Sequence, residues 1–185
     1  MTLSALGIFS AAGAGGALVS DYELIETQIL GSGQSAITFS SLGTYSSTYK
    51  HLQIRSASLV NAGTSNLAIL RFNGDTGNSY VSHYLEGNGS SVGSNWSTLT
   101  SSIYYGFWGT GSTTAVHGAV VDIIDPYSTS KNKTIRSLNG NTNAGSPLAT
   151  LYSGVWISTA STTSLTISSP SNFLTGSRFS LYGLK

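Results

Sequence analysis

From Tyr22 onward, hydrophobic and polar positions alternate with a period of two rather than 3.6. In "KHLQIRSASLV", Leu52, Ile54 and Val60 fall on one face with Ser56 and Ser58 between them, and His51, Gln53 and Arg55 fall on the other. The segments "NLAILRF", "SYVSHYLE", "AVHGAVVDII", "LYSGVWIS", "TSLTIS" and "RFSLYGLK" are short and rich in β-branched, Leu or aromatic residues. Each reads as a strand. Clusters of Gly, Asn, Ser and Asp at 73–78, 87–95, 109–114, 125–132, 139–147 and 168–176 read as the turns between them. No stretch offers a capping box followed by a helical apolar stripe. The pattern predicts an all-β chain of eight to eleven strands, folded as an antiparallel β-sandwich of jelly-roll type. No internal repeat interrupts residues 21–185, which read as a single domain behind an N-terminal, non-globular arm, residues 1–20.

That arm, "MTLSALGIFSAAGAGGALVS", carries no charge before Asp21. It lacks the basic start and compact apolar run of a secretory signal. Gly, Ala, Ser and Thr make up more than half of it, so it would insert weakly in a bilayer. The readings left are a free tail, a membrane-active segment, or an arm packed on a partner through Leu3, Leu6, Ile8 and Phe9.

Composition sharpens this picture. Only 8% of the 185 residues are charged, whereas Ser and Thr supply about 30%. A net charge of +1 provides no field for nucleic acid or acidic lipid, and neither is expected as a partner. The absence of cysteine removes disulfides, thiolate metal sites and thiol catalysis. Sequons at Asn88, Asn95 and Asn132 carry no weight in so Ser/Thr-rich a chain. A charge-poor surface of neutral hydrogen-bonding groups fits a protein held among neighbours in an assembly.

The candidate chemistry is thin. "RFNGDTGNSY" places Asn73, Gly74, Asp75 and Gly77 between two strands, where Asn-Gly supplies the positive φ of a tight hairpin. Read as a calcium loop from Asn73, its twelfth position is Tyr84 rather than Glu, so Asp75 is expected to close a turn. Gly89-Ser90-Ser91-Val92-Gly93 matches a serine-hydrolase pattern, but no helix follows it. Gly31-Ser32-Gly33-Gln34-Ser35-Ala36 matches a dinucleotide fingerprint, yet a strand follows and the next acid is Asp75. His51, His83 and His117 each sit in a strand pattern and could meet at a metal only if the fold converged them. Asp122 and Asp125, three apart on a strand, point to opposite faces and make no glycosidase pair. The aromatics Trp96, Tyr104, Tyr105, Phe107 and Trp108 suit a core, a subunit interface or a sugar platform. No catalytic residue, metal or cofactor is expected. Candidate glycan or partner contacts are Asp75, Asn88, Trp96, Tyr104, Tyr105 and Trp108.

Taken together, "YELIETQIL" (22–30), "STYKHLQIR" (47–55), "LRFNGDTGNSY" (70–80), "NKTIRSL" (132–138) and "GSRFSLYGLK" (176–185) resemble a family of small, cysteine-free bacteriophage virion proteins from viruses of aquatic bacteria. The likeness spans most of 21–185 in the same order, with 88–115 matching least. It implies a location on the virion surface and supplies no catalytic residues. It further implies contact with the major capsid protein or tail proteins and a homo-oligomer of trimeric type. Capsid decoration, anchored by the arm, is the leading expectation. A tail-fibre tip or a lectin-like module binding a host surface glycan is the alternative.

Overall fold

A computed structural model of the chain describes residues 20–61, 67–107, 116–141 and 147–185. The arm residues Leu3, Leu6, Ile8 and Phe9, and Trp108, lie outside these. Twelve strands occur among the described residues: β1 (Tyr22–Ile29), β2 (Gln34–Phe39), β3 (His51–Ser58), β4 (Leu67–Phe72), β5 (Tyr80–Gly87), β6 (Val92–Thr100), β7 (Ile103–Phe107), β8 (His117–Ile124), β9 (Lys133–Asn141), β10 (Leu148–Trp156), β11 (Leu165–Phe173) and β12 (Arg178–Leu184). A 3-10 turn, Leu42–Tyr45, precedes β3.

The strands form two antiparallel sheets, ordered β1-β12-β3-β8-β9-β10-β5-β6 and β2-β11-β4-β7. The quartets β1-β12-β3-β8 and β2-β11-β4-β7 have the strand order of an eight-stranded jelly roll. The hairpins β5–β6 and β9–β10 are insertions into that scheme. They pair with each other and extend the first sheet beyond β8 as a wing.

The count exceeds the expected eight to eleven, and parts of three segments that read as turns lie within strands. The turn at 87–95 shrinks to Asn88–Ser91 before β6 begins at Val92, β9 runs through Asn139 and Gly140 to Asn141, and β11 crosses 168–173. Ladder hydrogen bonds to neighbours outweigh the weak strand propensity of Gly, Asn and Ser.

Period-two alternation explains the core. Leu52 and Ile54 of β3 face Val121 and Ile123 of β8, and across the sandwich stand Phe39, Leu70, Phe72, Leu165 and Ile167, all fully or almost fully buried. Each such side chain contributes about 1.5–3 kcal/mol by leaving water. Phe173 and Phe179 close the far end, edge to face at 4.9 Å. The wing's inner face packs on β7, and glycine is needed there. A Cβ on Gly106 would collide with Asn139, and one on Gly154 with Ile103.

Candidate functional site

The turn at 72–79 is built by its own sequence. Asn73 (φ 52°) and Gly74 (φ 69°) both adopt left-handed backbone, and Asp75 N–H donates to the Phe72 carbonyl at 2.9 Å. That is a type I′ turn, which Asn-Gly favours. The Asp75 carboxylate then accepts the Gly77 N–H (2.7 Å) and the Ser79 hydroxyl (2.9 Å). It also accepts the Trp156 indole N–H at 2.7 Å. These donors, the indole foremost, hold its carboxyl below the usual aspartate range. Asp75 therefore closes a turn, as expected, and in addition binds β10, which the sequence did not disclose.

Beside it, Asn73 Oδ1 accepts from the Thr163 N–H (2.7 Å), the Thr163 hydroxyl (3.1 Å) and the Ser164 N–H (3.1 Å), while Nδ2 donates to the Ser161 carbonyl (2.9 Å). Sequence reasoning passed over this hub and saw only the turn. Its one local sign was the Asn-Gly pair.

Asn88 stands at the opposite end of β5 from Asp75, about 25 Å away at strand spacing. Its Oδ1 accepts the N–H and hydroxyl of both Ser90 and Ser91. The G-x-S-x-G match is thus a closed hairpin turn. Tyr105 points into the core, where burial pushes its phenol well above the usual range. Of the six candidate contacts, the five among the described residues are therefore not gathered at one site.

Two of them do meet. Trp96 of β6, 71% exposed, and Tyr104 of β7 line a cavity of about 190 Å³ with Asn95, Tyr84, Tyr152 and Ser82. Tyr84 and Tyr152 lie 5.0 Å apart, and burial raises the Tyr152 phenol. The cavity opens between the wing and β7, and offers aromatic faces with amide and hydroxyl groups. Tyr84 and Tyr152 were missed because partners on different strands carry no common sequence signal.

The three histidines do not converge. His51 and His117 begin antiparallel neighbours at opposite ends, and His83 faces outward on β5. Among the described residues no group of three or more His, Asp or Glu could hold a metal ion. Carboxylates serve as ties. Asp122 accepts from Gln53 Nε2 (2.7 Å) and Arg136 Nε (3.1 Å), Asp125 from Lys131 Nζ (2.9 Å), and Glu23 from Tyr49 and Lys185. Lys131 lowers the Asp125 carboxyl, and Lys185 with Tyr49 lowers that of Glu23.

The remaining feature is the outer face of the eight-stranded sheet. Val120, Leu138, Leu151 and Leu85 face solvent there, 39%, 59%, 55% and 60% exposed. Grooves of about 530 and 540 Å³ flank this line. The outer face of the four-stranded sheet differs: Thr38, Thr166 and Arg71 form one row across it, with the two threonine hydroxyls 2.9 Å apart. No protein-family model, curated protein or solved structure matches the chain.

Proposed function

We propose that this chain is a non-enzymatic structural protein of a bacteriophage virion, a capsid-decoration subunit held by residues 1–20 and displaying the jelly roll at the particle surface. The observation that carries the assembly part of the reading is the exposed aliphatic line on the wing. Water-facing Leu and Val at adjacent positions on four strands are what a surface covered by a neighbour requires. The commitment of Glu23, Asp75, Asp122 and Asp125 to turns and pairs supports the non-enzymatic part. The virion assignment rests on the resemblance of the five sequence cassettes. Jelly rolls serve in capsid and lectin domains, an analogy at the level of fold alone.

Quantitative mass spectrometry of purified particles tests this reading. A copy number comparable to that of the major capsid protein is expected, and absence from particles would overturn it. Deleting residues 1–20 should leave a folded domain that no longer binds particles.

The cavity at Trp96 and Tyr104 favours a second reading, a tail-fibre tip or host-glycan module. Under that reading Trp96→Ala abolishes glycan-array binding without changing the melting temperature. A silent array for the unaltered chain removes it.

A further inference from the structure

The outer face of the wing carries two parallel rows that differ in height. One is the ridge: Val120 pairs with Leu138, Leu138 with Leu151, and Leu151 with Leu85. Two residues along each strand lies a trough: Ala57 pairs with Gly118, Gly118 with Gly140, Gly140 with Ala149, and Ala149 with Gly87. From β8 to β5 neither row contains a charge.

The fold does not require these trough glycines. A Cβ on Gly87, Gly118 or Gly140 would meet nothing within 4 Å, and none of the three has left-handed backbone. They contrast with Gly106 and Gly154, whose Cβ would strike the core. Glycine inside a strand weakens it, and it is retained where another backbone or ligand must approach closely. Three of them in register on an exposed face indicate such an approach from outside.

We infer that this face docks a second copy of the chain in a two-fold dimer, ridge into trough. A half-turn about a line in the interface, lying between the two rows and parallel to them, lays the ridge of each copy over the trough of the other. Leu138 then meets Gly140 of the second copy, Leu151 meets Ala149, and Leu85 meets Gly87. A patch that is its own complement under a half-turn forms a closed isologous contact. This gives two-fold rather than three-fold symmetry. Aligned sheets pack about 30° apart, so the central strands β9 and β10 make the closest contact.

The available area reaches the lower bound for a specific contact. The four strands β8, β9, β10 and β5, at about 4.8 Å spacing and each about eight residues long, present a face of roughly 500 Å². Two copies then bury about 1,000 Å² in total, the lower bound for a specific interface. The inference concerns the chain alone and needs no particle.

Sedimentation equilibrium on the full chain tests it, beside Gly140→Val and Leu138→Ser. The unaltered chain should be a dimer. Gly140→Val fills the trough with a strand-favouring side chain, so it should abolish the dimer while the monomer melts no lower than the parent. Leu138→Ser should also yield a folded monomer. The inference is overturned if the unaltered chain stays monomeric at the highest concentration reached, or if its oligomer survives Gly140→Val. It is also overturned if a dimer forms only after residues 1–19 are removed, which would show that the arm covers this face. Particle binding is read separately, so either conclusion can fail without the other.

Discussion

The Trp156 indole donates to Asp75 Oδ2 at 2.7 Å, joining residues 81 apart in sequence. The same ring stacks on Phe72 at 5.2 Å and on Tyr80 at 6.4 Å. Tyr80 in turn donates its hydroxyl to the Asp75 carbonyl at 3.0 Å, and burial pushes its phenol up to about 12. One carboxylate thus fastens a hairpin turn to the end of β10 and to the core beneath it.

Asp75→Asn should destabilise the protein by about 1–3 kcal/mol. An amide cannot accept from Gly77, Ser79 and the indole together, because its NH₂ must face one of these donors. Urea unfolding at neutral pH measures the difference. A loss near zero would mean that the indole contact is not maintained in solution.

Asp75 also shapes acid stability. Its folded carboxyl lies below its ordinary 3.8, so its contribution is fully present above that value. It is lost as pH falls through the lower folded value. His117, held below its ordinary 6.5 by burial, acts at higher pH and with the same sign, since stability falls as the unfolded imidazole protonates below 6.5. Melts recorded from pH 7 down to pH 2 should show both windows. The lower one should shrink in Asp75→Asn, whose curve then approaches that of the parent in acid.

Asn73→Gly keeps the left-handed backbone but removes the ties to Ser161, Thr163 and Ser164. It should cost about 2 kcal/mol, and Asn73→Ala about 1 kcal/mol more for the positive φ. Equal losses for the two variants would show that backbone strain contributes nothing at this turn.

Lys133 is fully buried, and its Nζ donates to the carbonyls of Ser128 (2.6 Å) and Lys131 (2.8 Å). Burial lowers its ammonium pKa. Lys133→Met leaves those carbonyls without this donor, so a loss of about 1–3 kcal/mol is expected. Limited proteolysis should then cut first within 125–131. Unchanged cleavage would show that the loop holds without the ammonium.

Much of the fold was legible in the sequence because alternation states which side chains of a strand face inward. Leu52, Ile54 and Val60 were placed on one face by their spacing, and all three are buried in the core. Asn73-Gly74 announced its own turn, since positive φ is a property of the two residues involved. The strands at 92–100 and 139–141 were not legible, because Gly, Asn and Ser there are extended only through the neighbours that pair with them.

The chain's own order of residues determined an all-β, charge-poor protein with a jelly-roll sandwich and a turn at Asp75. Tertiary structure alone decided that two hairpins extend one sheet past β8. It also decided that Asp75 takes Trp156 as its partner, and that Val120, Leu138, Leu151 and Leu85 stand in one row beside a line of glycine and alanine. A period of two specifies the face on which a side chain lies. It leaves open which strand comes alongside and in what register, and long-range backbone pairing settles those.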